Sequence, residues 1–239
     1  MEDKQVKRVL VAEDEASIRD FIVINLQRSG YDVVEAENGE QALNEYNAFN
    51  GEFDVALLDI MMPVIDGLEV CKQLRSQNKN LGIIILTAKT QEMDKVTGLL
   101  MGADDYVTKP FSPSELMARV DAVYRRVAMT NDTPIHGNDE NIVVSGDFIL
   151  NLRNRTLSKN GKMIELTQVE FQIIEYFFNN PGAAISRTAI LRKVWGDEYI
   201  GEEKIVDVNI RRLRMKVENE PSNPEHLITI WGIGYKWIS

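Results

Sequence analysis

Four short apolar runs in this chain end in residues that could share one reaction. Val9-Leu10-Val11-Ala12 ends in Glu13, Asp14 and Glu15, and Val55-Ala56-Leu57-Leu58 ends in Asp59. Ile83 to Leu86 ends in Thr87, and Tyr106 to Thr108 ends in Lys109. Carboxylates brought close together repel, and the usual remedy is a hard divalent cation held by oxygens; Mg²⁺ keeps waters and completes its shell with phosphate oxygens. An aspartate in such a setting can attack phosphorus and become an aspartyl phosphate, while Mg²⁺ and an ammonium group offset charge on the phosphoryl oxygens. The chemistry indicated is phosphoryl transfer, with Asp59 as nucleophile and Lys109 as countercharge. The alternative is that each is an ordinary loop residue, Asp59 for instance capping a strand-to-helix turn.

For these ends to meet, the runs must be neighbouring strands that point the same way. A further strand is expected from Tyr31 to Ala36, and helical spacing separates the five. Ile18, Phe21, Ile22, Asn25 and Leu26 mark one helix before Gly30. Ala42, Leu43 and Tyr46 mark a second, Leu68, Cys71 and Leu74 a third, and Met93 to Met101 a fourth that Gly102 stops. Ser112 as N-cap, Pro113 at the first helical position and Glu115 at the third open a fifth, to about Val127. Strand and helix alternating five times predict a parallel sheet covered on both faces, whose ligand crevice lies at the carboxyl ends of the strands. Pro63 and Asp66-Gly67 turn the chain away just after Asp59.

After Arg126 the chain becomes polar and aperiodic, with Pro134 and Gly137, and residues 129–141 read as a linker between a first domain, 1–128, and a second, 142–239. The second opens with short strands at Ile142 to Ser145, Asp147 to Leu152, Arg155 to Ser158 and Lys162 to Leu166, the last two joined across Asn160-Gly161, a strong hairpin signal. Thr167 and Glu170 form a capping box for a helix carrying Phe171, Ile174, Phe177 and Phe178. Ser186 caps the next, through Trp195. A third helix, about Glu203 to Glu218, places Val206, Ile210, Leu213 and Val217 on its core face. At 100° per residue Arg211 points almost opposite that stripe, Lys204, Asp207, Val208 and Arg214 flank it on the exposed side, and Asn209 and Arg212 lie nearer the edge. Runs at Leu227 to Trp231 and Tyr235 to Ile238 close a final hairpin. Sheet, three helices and hairpin make a winged helix-turn-helix.

Composition narrows the function classes. At 239 residues, 44% hydrophobic and 27% charged, the chain is too globular to be disordered, and its apolar runs are too short to span a bilayer. The N-terminus lacks the apolar stretch of a signal peptide, and the single cysteine, Cys71, suits packing in a reducing compartment; a cytoplasmic protein without a membrane partner is expected. The net charge of −10 argues against nucleic acid, but it is unevenly spread. Acids outnumber bases by 22 to 14 through Thr130 and only by 15 to 13 beyond it, where Arg211, Arg212, Arg214 and Lys216 crowd together.

Glu13-Asp14, Asp59, Asp66-Gly67, Thr87-Ala88 and Lys109-Pro110 resemble the receiver domain of response regulators. With the winged helix, nearly the whole chain is similar to the OmpR/PhoB family of two-component transcription factors. The resemblance implies a doubly wound, flavodoxin-like receiver with strand order 2-1-3-4-5. It implies Asp59 as phospho-acceptor, Glu13, Asp14, Asp59 and the Met61 carbonyl as Mg²⁺ ligands, Thr87 as hydrogen-bond donor to the phosphoryl group, Lys109 as its ion-pair partner and Tyr106 as an aromatic switch. Met61 and Lys89 occupy positions that tune the phosphoryl lifetime in the family.

The implied partners are a sensor histidine kinase, promoter DNA and RNA polymerase. A phosphorylation-driven homodimer is implied through reciprocal salt bridges, Lys95 with Glu115, and Asp104 and Asp105 with Arg119 and Arg126; by charge alone these would be solvated residues, and Leu100 departs from the acidic residue usual there. Implied DNA contacts fall on Lys204, Val208, Asn209, Arg211, Arg212 and Arg214, with Asn209 where histidine is commonest, and on Trp231, where the family usually has an arginine. The linker leaves the DNA-binding domains free to sit head-to-tail on a direct repeat. Two other classes compete: a phosphorylation-dependent protein-binding module that does not bind DNA, and a phosphohydrolase with an aspartyl nucleophile. The latter needs a second aspartate where this chain has Met61.

Overall fold

The computed structural model describes residues 6–88, 101–131, 141–197, 199 and 201–239, with the backbone alone for 129–131. The chain divides into two compact units, Met1–Ala128 and Met129–Ser239. Residues 93–100 of the expected helix from Met93 to Met101, with Lys95 and Leu100 among them, Lys89, and most of the expected linker lie outside the described residues.

In the first unit, β1 (Arg8–Ala12), β2 (Asp32–Ala36), β3 (Val55–Asp59), β4 (Gly82–Ala88) and β5 (Asp105–Lys109) form one sheet in the order β2-β1-β3-β4-β5, every pairing parallel. That order is the doubly wound one, and its reversal beside β1 puts the carboxyl ends of β1 and β3 next to each other. The central strands are buried on both faces, as their unbroken apolar runs require. Val9, Val11, Val55, Leu57, Ile84, Leu86 and Val107 meet Ile22 and Leu26 of α1 (Ala16–Arg28) and Leu116, Val120 and Val123 of α4 (Pro113–Asn131). The helices α2 (Gly39–Ala48) and α3 (Gly67–Gln77) follow β2 and β3. Helix α4 extends four residues past the expected Val127.

Helix α1 departs from its expected face. Phe21 is exposed, whereas Val23 and Arg19 are buried. Arg19 satisfies itself inside: its guanidinium donates to the Glu13 carbonyl at 2.8 Å and pairs with Glu35 and Glu37 at 3.5 and 3.2 Å. A helix pattern read as apolar-in and polar-out has no place for such a residue.

The second unit begins with β6 (Ile142–Ser145), β7 (Phe148–Asn151), β8 (Thr156–Lys159) and β9 (Lys162–Ile164), an antiparallel sheet in sequence order. Asn160 and Gly161 both have positive φ, 51° and 76°, which is what a tight hairpin of this hand demands. Then come α5 (Gln168–Phe178), α6 (Arg187–Trp195) and α7 (Lys204–Val217), and the hairpin β11 (Leu227–Ile230) and β12 (Gly234–Trp237). The capping box is present, with Thr167 accepting from the Glu170 amide and Glu170 from the Thr167 amide. One strand was not legible: β10 (Ala184–Ser186) pairs with β12, turning the hairpin into a three-stranded sheet. At three residues it is too short to carry a period.

Candidate functional site

At the carboxyl edge of the parallel sheet, Glu13, Asp14 and Asp59 each offer a carboxylate oxygen, all within 4.8 Å of one another. Glu13 and Asp59 are buried and Asp14 is exposed. Lys109, from the end of β5, bridges the two buried acids: its Nζ lies 2.6 Å from Glu13 Oε2 and 2.9 Å from Asp59 Oδ1. Burial lifts the pKa of Glu13 above the ordinary carboxylate range, and the charge of Asp59 adds to this against the pull of Lys109. Burial likewise lifts Asp59, with Lys109 opposing. For Lys109 burial works downward, but its hydrogen bonds to Glu13 and Asp59 win and hold the ammonium above the usual lysine range. Three hard carboxylates with one cation already drawn into their midst fit a divalent metal through the chemistry of the donor set.

The turn that follows Asp59 is shaped by contact with it. The Gly67 amide donates to the Ile60 carbonyl at 3.1 Å, and a Cβ on Gly67 would stand 2.0 Å from the Asp59 carbonyl oxygen, so no other residue fits without displacing the acceptor strand. Asp66 caps α3 by accepting from the Glu69 amide at 2.8 Å. Between them the loop passes through Val64 at φ 70°, a left-handed conformation that a β-branched residue adopts only at a cost. Met61 sits in this loop and is 67% exposed. Beside Lys109 lies an open groove of about 490 Å³ lined by Ser17, Ile18, Phe21, Lys109, Pro110 and Phe111. Phe21, displaced from the expected core, forms part of its wall.

Thr87 stands at the end of β4, buried, its hydroxyl making, among the described residues, a long 3.4 Å contact to the Ala88 carbonyl. Tyr106 is buried within β5, its ring 5.9 Å from the Arg119 guanidinium. Of the described residues expected to bridge two copies, Asp104, Asp105, Arg119 and Arg126 are buried and Glu115 is partly so. Asp105 is fully buried and pairs with Arg119 at 3.1 Å; Arg119 also pairs with Glu115 at 3.1 Å, and Arg126 is buried. Asp104 is buried too, accepting from Arg75 at 2.7 Å and from the Ile83 amide at 2.8 Å within the one copy. Arg75 in turn donates to the carbonyls of Gly102, Lys79 and Leu81. This buried arginine ties α3 to two loops, and sequence periodicity gave no sign of it.

In the second unit α7 buries Val206, Ile210, Leu213 and Val217 as expected, but its buried sector is wider than that stripe. Val208 is buried. Asn209 is fully buried, its amide donating to the Ile205 carbonyl at 2.9 Å. Arg212 is buried against Glu170 of α5 at 3.0 Å, and Lys216 reaches the same carboxylate at 2.6 Å. Val208, Asn209 and Arg212 are thus all turned into the domain. Arg214 is half-buried, donating to the Leu227 carbonyl at 2.8 Å and to Thr229 Oγ1 at 2.9 Å. What faces outward is Lys204, Asp207, Arg211 and Met215, spaced by three and four. Asp207 joins Arg187 at 2.7 Å and accepts from the Tyr235 hydroxyl at 2.7 Å; burial and that bond push the phenol up to about 12. Trp231 stands at the hairpin tip, 90% exposed.

Comparison with known proteins follows the same division. Residues 9–121 match the family model described as response regulator receiver domain, and residues 161–237 the one described as transcriptional regulatory protein, C terminal. The chain is 41% identical over 228 residues to the sensory transduction protein RegX3 of Mycolicibacterium smegmatis, covering 95% of this chain and 97% of that protein. It is 43% identical over 232 residues to the alkaline phosphatase synthesis transcriptional regulatory protein PhoP of Bacillus subtilis, covering 96% of each. A solved structure of a RitR mutant aligns with a TM-score of 0.75 over 97% of this chain and 98% of that one, at 24% identity, a likeness of fold. Among the described residues, no helix is long and apolar enough to cross a membrane.

Proposed function

The chain belongs to the OmpR/PhoB family of two-component response regulators, transcription regulators that bind DNA under the control of phosphorylation and are not turnover enzymes, and from this premise we propose that Asp59 is the phospho-acceptor. The observation that carries this reading is the Lys109 bridge between Glu13 and Asp59, a cation held where a phosphoryl group would need one. In the transfer, an Asp59 carboxylate oxygen forms a bond to phosphorus as the phosphorus–nitrogen bond of a phosphohistidine breaks, and the imidazole leaves with its electron pair and takes up a proton. Lys109 then pairs with a phosphoryl oxygen, and Thr87, with no short bond of its own among the described contacts, donates its hydroxyl to another. Glu13, Asp14 and Asp59, with the Met61 carbonyl, would hold Mg²⁺. When bound, the ion supplies positive charge that offsets the charge on the phosphoryl oxygens.

The donor is a histidine kinase working in the cytoplasm. The groove bordered by Ile18, Phe21 and Phe111 opens beside Lys109 and gives a partner helix an apolar seat next to Asp59. Phe21→Ala is expected to slow transfer from a kinase active on the wild type by about five- to thirty-fold, the effect of ~1–2 kcal/mol, and to leave labelling by a small acyl phosphate unchanged. Equal loss from both donors would show that Phe21 supports the fold and not docking.

Phosphorylation, in this reading, pulls Thr87 and Tyr106 toward the acceptor and favours a symmetric dimer through the face of Tyr106, Glu115, Arg119 and Arg126, with Lys95 and Asp105. Because Arg119 already holds Asp105 and Glu115 within one copy, dimerisation has to exchange bonds and not simply add them. The paired DNA-binding domains then engage a direct repeat in promoter DNA, Lys204 and Arg211 facing the major groove. Sedimentation should show a dimer only after phosphorylation, and affinity for promoter DNA recovered from the cell should rise by about 5- to 150-fold, the usual span of a coupling energy. DNA binding indifferent to phosphate, with no change in mass, would overturn the linkage.

A further inference from the structure

The wing carries a side chain whose chemistry differs from the rest of the DNA-facing surface. Trp231 is 90% exposed, whereas the chain's other two tryptophans, Trp195 and Trp237, are buried. Its neighbour Ile233 is half exposed, and the tip from Ile230 to Gly234 bears no charge. Large aromatic rings left in water on a folded domain are costly to maintain and mark contact surfaces when they form part of an apolar patch.

The tip is also held still. Strands β11 and β12 pair from Leu227↔Trp237 to Ile230↔Gly234, and the Ile233 amide donates to the Ile230 carbonyl at 3.0 Å, closing the turn with Gly232 at φ 75°. At its base Gly234 is packed so closely on β10 that a Cβ would meet the Ile185 carbonyl oxygen at 2.1 Å. Helix α7 is bolted to the same hairpin through Arg214 to Leu227 and Thr229, and through Asp207 to Tyr235. The indole therefore keeps a fixed offset from Arg211. With α7 in a major groove, an element extending sideways past one phosphate strand meets the adjoining minor groove.

We propose that Trp231 enters that minor groove as an uncharged wedge and sets sequence preference there by deformability, selecting pyrimidine–purine steps that open readily. The inference rests on the second unit being the DNA-binding module. A cationic tip would gain from the negative potential of a narrow A-tract and release counterions; an indole gains neither. It gains instead where a step unstacks to admit an apolar group, and TA and CA steps do so most easily.

The test uses the full-length phosphorylated protein and a duplex it selects from a random pool. Trp231 should be the acrylamide-quenchable tryptophan of the free protein and should become protected in the saturated complex. Trp231→Ala should lose about tenfold in affinity at every salt concentration with an unchanged salt slope, and should select the same major-groove bases without the flanking TA or CA step. Trp231→Arg should steepen the slope by about one unit and shift the selected flank toward A-tracts. Replacing guanine by inosine in the flank, which alters the minor groove alone, should change binding of the wild type and not of Trp231→Ala. Persistent quenching in the bound complex, or identical flanks selected by wild type and Trp231→Ala, would overturn the wedge while leaving DNA binding intact. Failure to select any duplex would overturn the DNA-binding reading, and the wedge with it.

Discussion

Asp59→Asn is expected to abolish phosphate incorporation. Incubated with a small acyl phosphate and Mg²⁺, the wild type should gain the mass of one phosphate and the variant none, because an amide oxygen is neither charged nor nucleophilic enough to displace the leaving group. The substitution is nearly isosteric, and Lys109 keeps its 2.6 Å bond to Glu13, so the sheet edge should remain folded and the loss should be one of chemistry. The same variant should stay monomeric and bind DNA no better after treatment. Phosphate found on another residue of the variant would remove Asp59 from its assigned role.

The largest stability effect is expected at Glu170. This fully buried carboxylate joins α5 to α7 through Arg212 and Lys216 and also caps α5 by accepting from the Thr167 amide at 2.8 Å. Glu170→Ala removes the carboxylate paired with the buried Arg212 and should cost the second unit about 3–5 kcal/mol, read as a lower urea midpoint for that unit in the full chain. Glu170→Gln, which can still cap the helix, should cost less.

The pH dependence follows from the pKa. Burial alone would raise that of Glu170, but Arg212, Lys216 and the amide bond together pull it below the ordinary glutamate value. A folded-state pKa lower than the unfolded one contributes stability that is complete above the unfolded value of about 4.3 and fades as pH falls through the folded value. Acid unfolding of the wild type should therefore be steep below that point and shallow in Glu170→Gln. Matching acid profiles would show that the ion pair does not govern this unit.

Much of this architecture was legible because hydrophobic periodicity reports what a whole element does. The apolar runs at Val9, Val55 and Ile83 could only be central strands, and the polar residues ending them fell where a doubly wound sheet gathers its site. The failures lie with single polar residues whose partners are far away in sequence. Arg75, Arg19 and Arg212 look like surface residues on a helical wheel; each is buried because carbonyls or carboxylates on other elements receive it, and no local pattern encodes that. For α7 the angle of each residue was right and the width of the covered sector was not. Val208, Asn209 and Arg212 are all buried, Arg212 against Glu170 of α5, which is a fact of tertiary contact. Phe21 shows the converse: it keeps helical spacing with the core yet points into a groove at the site's rim.

The division of labour along α7 bears on how such regulators diverge. Neighbouring residues of one helix answer to different constraints, since Arg212 and Arg214 are committed to Glu170 and the hairpin, whereas Lys204, Arg211 and Met215 point away from the domain. After gene duplication, a copy could drift at these outward positions and at the wing tip toward a new operator with little penalty in folding, while the inward arginines stayed fixed. Rewiring of the regulated gene set would then proceed through a few tolerant sites, and basic residues that resemble DNA contacts in an alignment would be preserved for architecture instead.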